Sequence, residues 1–141
     1  MRQIFADTFY WAALLNRRDN WYLRVKQLNT RLQSVQLITT DEVLTEFLNF
    51  FSAFDPRMRQ EATRQVRSIL QNDRVQVIPV SRDRFLAGLH LYEQRLDKGY
   101  SLTDCISMNT MQQLGISEVL THDRHFSQEG FVILLEDNSS I

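Results

Sequence analysis

Apolar residues along this chain fall into two alternating patterns. Short β-rich runs occur at RQIFA (2–6), VQLIT (35–39), RVQVIPV (74–80), EVLT (118–121) and FVILL (131–135). Between them, over 8–16, 20–33, 41–54, 57–71, 82–97 and 104–114, apolar residues recur every three or four positions, the period of an amphipathic helix. Gly99 and Gly115 stand where helices should stop, and Asp55-Pro56 separates the third helix from the fourth. Strands separated by helices need crossover connections. The pattern therefore predicts a three-layer α/β/α sandwich around a central, mainly parallel sheet of about five strands. With no repeat, low-complexity tract or linker, residues 1–141 read as a single domain. In such sheets ligands bind beyond the carboxyl ends of the strands, which directs the search for chemistry to those ends.

Composition narrows the class. At 141 residues, 43% hydrophobic and 23% charged, the chain can bury a core without disulfides or metal staples. No apolar run approaches the roughly 20 residues of a membrane helix, and the opening MRQIFADTFYW lacks the pattern of a secretory signal. Cys105 is alone, so no internal disulfide forms and a reducing cytoplasm is expected. One cysteine and the scattered His90, His122 and His125 do not make a zinc site. The net charge of −1 argues against nucleic-acid binding by bulk electrostatics, although fourteen Arg against two Lys favours bidentate phosphate contacts where any occur.

Carboxylates carry the remaining signal. Asp7 follows the first strand and precedes the apolar TFYWAALL; Asp123 follows EVLT in THDRHF. Each suits a helix cap, yet both sit past the ends of strands that point the same way, so they share one edge of the sheet. In TTDEVLTEFLNFFSAF, a wheel at about 100° per residue puts Val43, Leu44, Phe47, Leu48, Phe50, Phe51 and Phe54 on a wide apolar arc. Glu46 borders that arc and can face a cleft. Glu42 lies further out and is expected to be solvated near the helix start. The arc suits core packing, or a groove or dimer seam where one core cannot cover it. Asp97 ends RFLAGLHLYEQRLD, where an acid opposes the helix dipole. YSLTDCISM (100–108) places Asp104 in the first turn of a helix that otherwise looks buried. There Ser101 and Asp104 fit a capping box, but an acid so close to a core must be paired, hydrogen-bonded or metal-bound.

Asp7, Glu46, Asp104 and Asp123 all fall at element starts or strand ends. Carboxylates without His or Cys partners select hard cations, Mg²⁺ or Mn²⁺. Without a cation, crowded acids repel one another and take up protons.

The ordered set FADTFYW, LTEFLNFF, SLTDCISM and THDRHF resembles the PIN-domain ribonucleases, in particular the VapC-type toxins of toxin–antitoxin pairs, over nearly the whole chain. The resemblance implies a pocket of Asp7, Glu46, Asp104 and Asp123 that binds Mg²⁺ or Mn²⁺, with Asp7, Asp104 and Asp123 as ligands. Glu46 would act through a water or deprotonate the nucleophile. Asp97 would be an additional acid, Thr8 and Thr121 polar neighbours, and Arg124 a rim cation for the RNA backbone. His122 stands where an apolar or aromatic residue is more usual. The implied activity is metal-dependent hydrolysis of RNA phosphodiester bonds. The implied partners are an RNA substrate, an antitoxin protein and a second copy of the chain, with no membrane. The competing expectation is a catalytically silent PIN fold that binds RNA or protein, but unneutralised carboxylates would give such a binder nothing. An aspartyl-phosphate phosphatase would need Asp-x-Asp where ADTF has one acid, and a dinucleotide enzyme would need a glycine-rich loop.

Overall fold

The computed structural model describes residues 1–137. Five strands form one wholly parallel sheet, β1 (Gln3–Ala6), β2 (Gln36–Thr40), β3 (Val75–Ile78), β4 (Glu118–Leu120) and β5 (Val132–Ile133), in the order β3-β2-β1-β4-β5. The helices are α1 (Thr8–Leu15), α2 (Tyr22–Arg31), α3 (Asp41–Phe51), α4 (Pro56–Gln71), α5 (Arg82–Gln94), α6 (Leu102–Leu114) and α7 (Arg124–Gln128). Helices α1 to α4 pack among themselves, and α6 packs on both α5 and α7. This is the expected three-layer sandwich, and the strand order explains where its crevice opens. From β1 the chain winds outward through β2 and β3, then returns to β4 on the other side of β1. The carboxyl ends of β1 and β4 thus flank the topological switch point, where parallel sheets leave a gap for ligands.

Burial follows the patterning. Ile4, Phe5 and Ala6 of β1 are inaccessible, as are Leu37, Ile38, Val119 and Leu120 of its neighbours, because a central parallel strand is covered on both faces. Helix α3 begins where Thr40 Oγ1 accepts the Val43 amide and ends near Asp55, whose side chain caps α4 at Met58. Phe47 and Phe51 go to the core, each contributing about 2–3 kcal/mol by burial. Leu48, Phe50 and Phe54 stay partly exposed, so only one side of the apolar arc is core.

Several boundaries differ from expectation for local reasons. Strand β3 ends at Ile78, before Pro79, which has no N–H for the ladder. Helix α5 stops at Gln94, and Asp97 lies in the exposed turn that follows rather than at the helix end. Helix α7 is only five residues long, too short to show a helical period. Glu42 is not solvated: Arg84 at the start of α5 grips both its oxygens at 3.0 and 3.1 Å, and both side chains are largely covered. This pair ties α5 to α3. Gly88 brings α5 against α6, where a Cβ would meet Ile106 Cγ1 at 2.4 Å.

Candidate active site: an acidic cleft beyond the ends of β1 and β4

Asp7 is the first residue past β1. Its backbone carbonyl accepts from the Tyr10 and Trp11 amides and so starts α1, but its side chain makes no capping bond. The carboxylate turns into the protein instead. The residue is only 5% exposed; Oδ2 accepts from the Thr121 hydroxyl at 2.9 Å, and Oδ1 is buried with no hydrogen-bond partner. The capping explanation fails for this residue. Burial above all, then the nearby charge of Asp104, pushes its carboxyl up to about 7.

Asp104 serves two purposes. The capping box with Ser101 is formed, with Asp104 N to Ser101 Oγ at 3.0 Å and Ser101 N to Asp104 Oδ2 at 3.2 Å. The same side chain lines a cleft with Asp7, Glu46 and Asp123. Burial, and next in the same direction the charge of Asp123, raise its pKa, opposed by the Ser101 amide. This explains an acid at the head of a buried helix: α6 carries Asp104 into the cleft while Cys105, Ile106, Met108 and Met111 enter the core.

Asp123 caps α7 through its Oδ1, which accepts the His125 amide at 2.9 Å. Thr121 prepares that turn, its Oγ1 accepting the Asp123 amide at 3.1 Å while its hydroxyl donates to Asp7. Glu46 reaches the cleft from α3 and accepts a hydrogen bond from the Thr8 hydroxyl. Its pKa is raised, first by burial and further by the charges of Asp104 and Asp123. Four acids from four regions of the chain therefore feel one another across one cleft of about 550 Å³.

Thr8 lines this cleft and Thr121 supports it through Asp7. Two expected accessory residues do not join them. Asp97 is exposed and does not line the cleft, and Arg124 points to a separate hollow with His122, Ser127, Glu136 and Asp137. His122 does not line the cleft; its Nδ1 lies 2.7 Å from the Leu135 carbonyl, and its ring packs on Phe9 and Trp21.

The structure adds residues that the sequence did not announce. His125 Nδ1 lies 3.3 Å from Asp123 Oδ1 and 3.5 Å from Asp104 Oδ2, buried and without a hydrogen bond. Donor atoms of Asp104, Asp123 and His125 all lie within 4.8 Å of one another. Tyr100 packs on the imidazole with ring centroids 5.3 Å apart, and its hydroxyl donates to Glu129, which also holds Arg95. Phe9, Ala12, Asp19, Phe50, Gly99 and Ser101 complete the lining. The spacing Asp-x-His was visible in DRHF, but only the unpredicted helix α7 turns His125 back toward Asp104.

A buried carboxylate oxygen without a donor, in a cleft lined by four other acids, is a poor arrangement without a counter-charge. Its chemistry fits a hard divalent cation bound mainly by oxygen. The family model described as PIN domain matches residues 4–131. The chain belongs to the PIN-domain family. Among PIN relatives, the 23S rRNA-specific endonuclease VapC20 of Mycobacterium tuberculosis, from two strains, is 29% identical over 129 residues, covering 92% of this chain and 95% of the relative. The crystal structure of M. tuberculosis VapC20, described as a sarcin–ricin loop cleaving toxin, superposes with a TM-score of 0.82 at 26% identity, covering 92% of this chain and 96% of that one. VapBC2 from Rickettsia felis bound to a promoter DNA fragment gives 0.66 at 15% identity over 95% of this chain and 98% of that one. FitAcB from Neisseria gonorrhoeae gives 0.62 at 16% identity over 92% and 95%. These last two likenesses speak to the PIN fold alone.

Proposed function

We propose that this PIN-domain protein is a divalent-metal-dependent ribonuclease that acts as the toxin of a toxin–antitoxin pair. The observation that carries the reading is the convergence of Asp7, Glu46, Asp104 and Asp123 in one cleft at the switch point, with a partnerless buried oxygen on Asp7. The likeness to an RNA endonuclease toxin over nine-tenths of both chains supports it. The match over 4–131 and a continuous core support one nuclease domain spanning 1–141.

Asp7, Asp104 and Asp123 would hold Mg²⁺ or Mn²⁺. When bound, such an ion polarises a phosphoryl oxygen and lowers the pKa of a water for attack on phosphorus. The Thr121 hydroxyl fixes the Asp7 carboxylate, and the Ser101 amide fixes that of Asp104. Glu46, held by Thr8, has a raised pKa and lies in the same cleft, so it takes the proton of the attacking water. The apolar walls given by Phe9 and Ala12 limit the water around these charges.

An antitoxin protein would hold the toxin inactive. A second copy of the chain would have the exposed apolar side of α5, at Phe85, Leu86, Leu89 and Tyr92, to cover. Among the described residues no helix is long and apolar enough to cross a membrane, and we assign the work to the cytoplasm, where the RNA is.

The test is RNA degradation by the purified protein with Mg²⁺ or Mn²⁺, with EDTA and with Asp7→Asn as controls. Cleavage that needs the ion and Asp7 supports the reading. Cleavage that survives both controls sinks it.

A further inference from the structure

The acidic cleft presents a difficulty for its substrate. Five carboxylates line it, Asp19 with the four of the cluster, and among the described residues no Arg or Lys does. An RNA backbone gains little attraction there beyond what the ion supplies, so binding must draw on an uncharged part of the nucleotide.

Phe50 answers this need. It is 51% exposed, although its neighbours on α3, Phe47 and Phe51, are fully buried. Its ring is braced from the side by Phe51, edge-on at 5.0 Å and 88°, and by Phe54 at 5.7 Å. Glu46 and Phe50 are four residues apart on α3, hence on the same face about one turn apart, and both line the cleft. That step, roughly 6 Å along the axis, is comparable to the reach from a phosphate to its own base. Phe9, two residues after Asp7, lines the same cleft and is held edge-on by Trp21 at 5.7 Å and 78°. The cleft's 550 Å³ lies in the range of sites that take ligands of nucleotide size.

We propose that Phe50, assisted by Phe9, forms a nucleobase subsite: an unpaired base next to the scissile phosphate stacks on the Phe50 ring while its phosphate meets the acids. The inference rests on the ribonuclease reading and extends it to the kind of RNA taken. A paired base has its faces occupied by its neighbours in the helix, so the subsite selects loops, bulges and ends, whose bases can be splayed onto an aromatic ring. Stacking tolerates any base; the ring therefore sets where a strand is cut by its pairing state more than by its letter.

The experiment uses a synthetic oligoribonucleotide spanning a bond that the wild-type protein cuts in total ribosomal RNA. Phe50→Ala raises KM about tenfold, within the span of stacking losses on alanine substitution, and Phe50→Trp restores it. Mn²⁺ binding to Phe50→Ala, followed by calorimetry, matches wild type and shows that the acid site is intact. An oligonucleotide abasic at the flanking position is cut equally poorly by wild type and Phe50→Ala, because the ring and the base are then each without a partner. If Phe50→Ala cuts the intact oligonucleotide as wild type does, or if the abasic change and the mutation add independently, the subsite is wrong and the ribonuclease reading stands. If wild type cuts no RNA with either ion, that reading falls and the subsite falls with it.

Discussion

The Thr121 hydroxyl donates to Asp7 Oδ2 at 2.9 Å, joining the carboxyl ends of two adjacent parallel strands that are 114 residues apart in sequence. The bond orients the most deeply buried acid of the cleft and favours its charged form. Thr121→Val keeps the shape and removes the donor. Mn²⁺ affinity should fall about tenfold or more, as for other residues that orient a ligand. Calorimetric titration against wild type measures it, and unchanged affinity would show that the hydroxyl serves only the turn at Asp123.

Asp104→Asn should abolish metal-dependent RNA cleavage, by at least about a hundredfold, while the fold persists. The amide oxygen can still accept the Ser101 amide, and the residue-104 backbone N–H still donates to Ser101 Oγ, so both halves of the capping box remain and stability should change by about 1 kcal/mol or less. Cleavage assays paired with urea unfolding separate the two effects. Undiminished cleavage would remove Asp104 from the site.

The Asp7 carboxyl, pushed up to about 7 from an ordinary 3.8, links stability to pH. Between those values the folded chain keeps a proton that the unfolded chain releases, so the metal-free protein loses stability as pH rises from about 4 to 7 and levels off above. Asp104 and Glu46, raised in the same direction, add to the slope. The total is on the order of a few kcal/mol. Melting without metal should show this decline, Asp7→Asn should flatten it, and Mn²⁺ should stabilise most at the alkaline end. A melting temperature of the metal-free wild type that climbs over this window would contradict the burial of an uncompensated acid.

Gly88→Ala should destabilise the protein by about 1–3 kcal/mol, because the new Cβ would lie 2.4 Å from Cγ1 of the buried Ile106. Ile106→Ala removes Cγ1 itself, so Gly88→Ala should cost less in that background than in the wild type. Denaturant midpoints of the two single variants and the double variant test the coupling.

The helical and strand periods of this chain were sufficient to place five strands and six of the seven helices. Each element is long enough, or apolar enough, to announce itself locally. Helix α7 was not, since five residues cannot show a period of 3.6. The acids were legible for a different reason: residues just past the ends of parallel strands must share one edge, so Asp7 and Asp123 could be paired from topology alone. Glu42 was misjudged because a helical wheel shows one helix only. Its partner Arg84 arrives from α5, 42 residues away.

Sequence alone therefore determined the α/β architecture, the edge of the sheet that carries the chemistry and the acids that carry charge, since these follow from period and strand direction. Only the tertiary structure decided which groups meet. Asp7 gives up capping to be buried against Thr121, His125 turns back between Asp104 and Asp123, Asp97 and Arg124 stay outside the cleft, and Phe50 faces into it. Those choices depend on how side chains from distant segments share a single volume, and no local pattern encodes that.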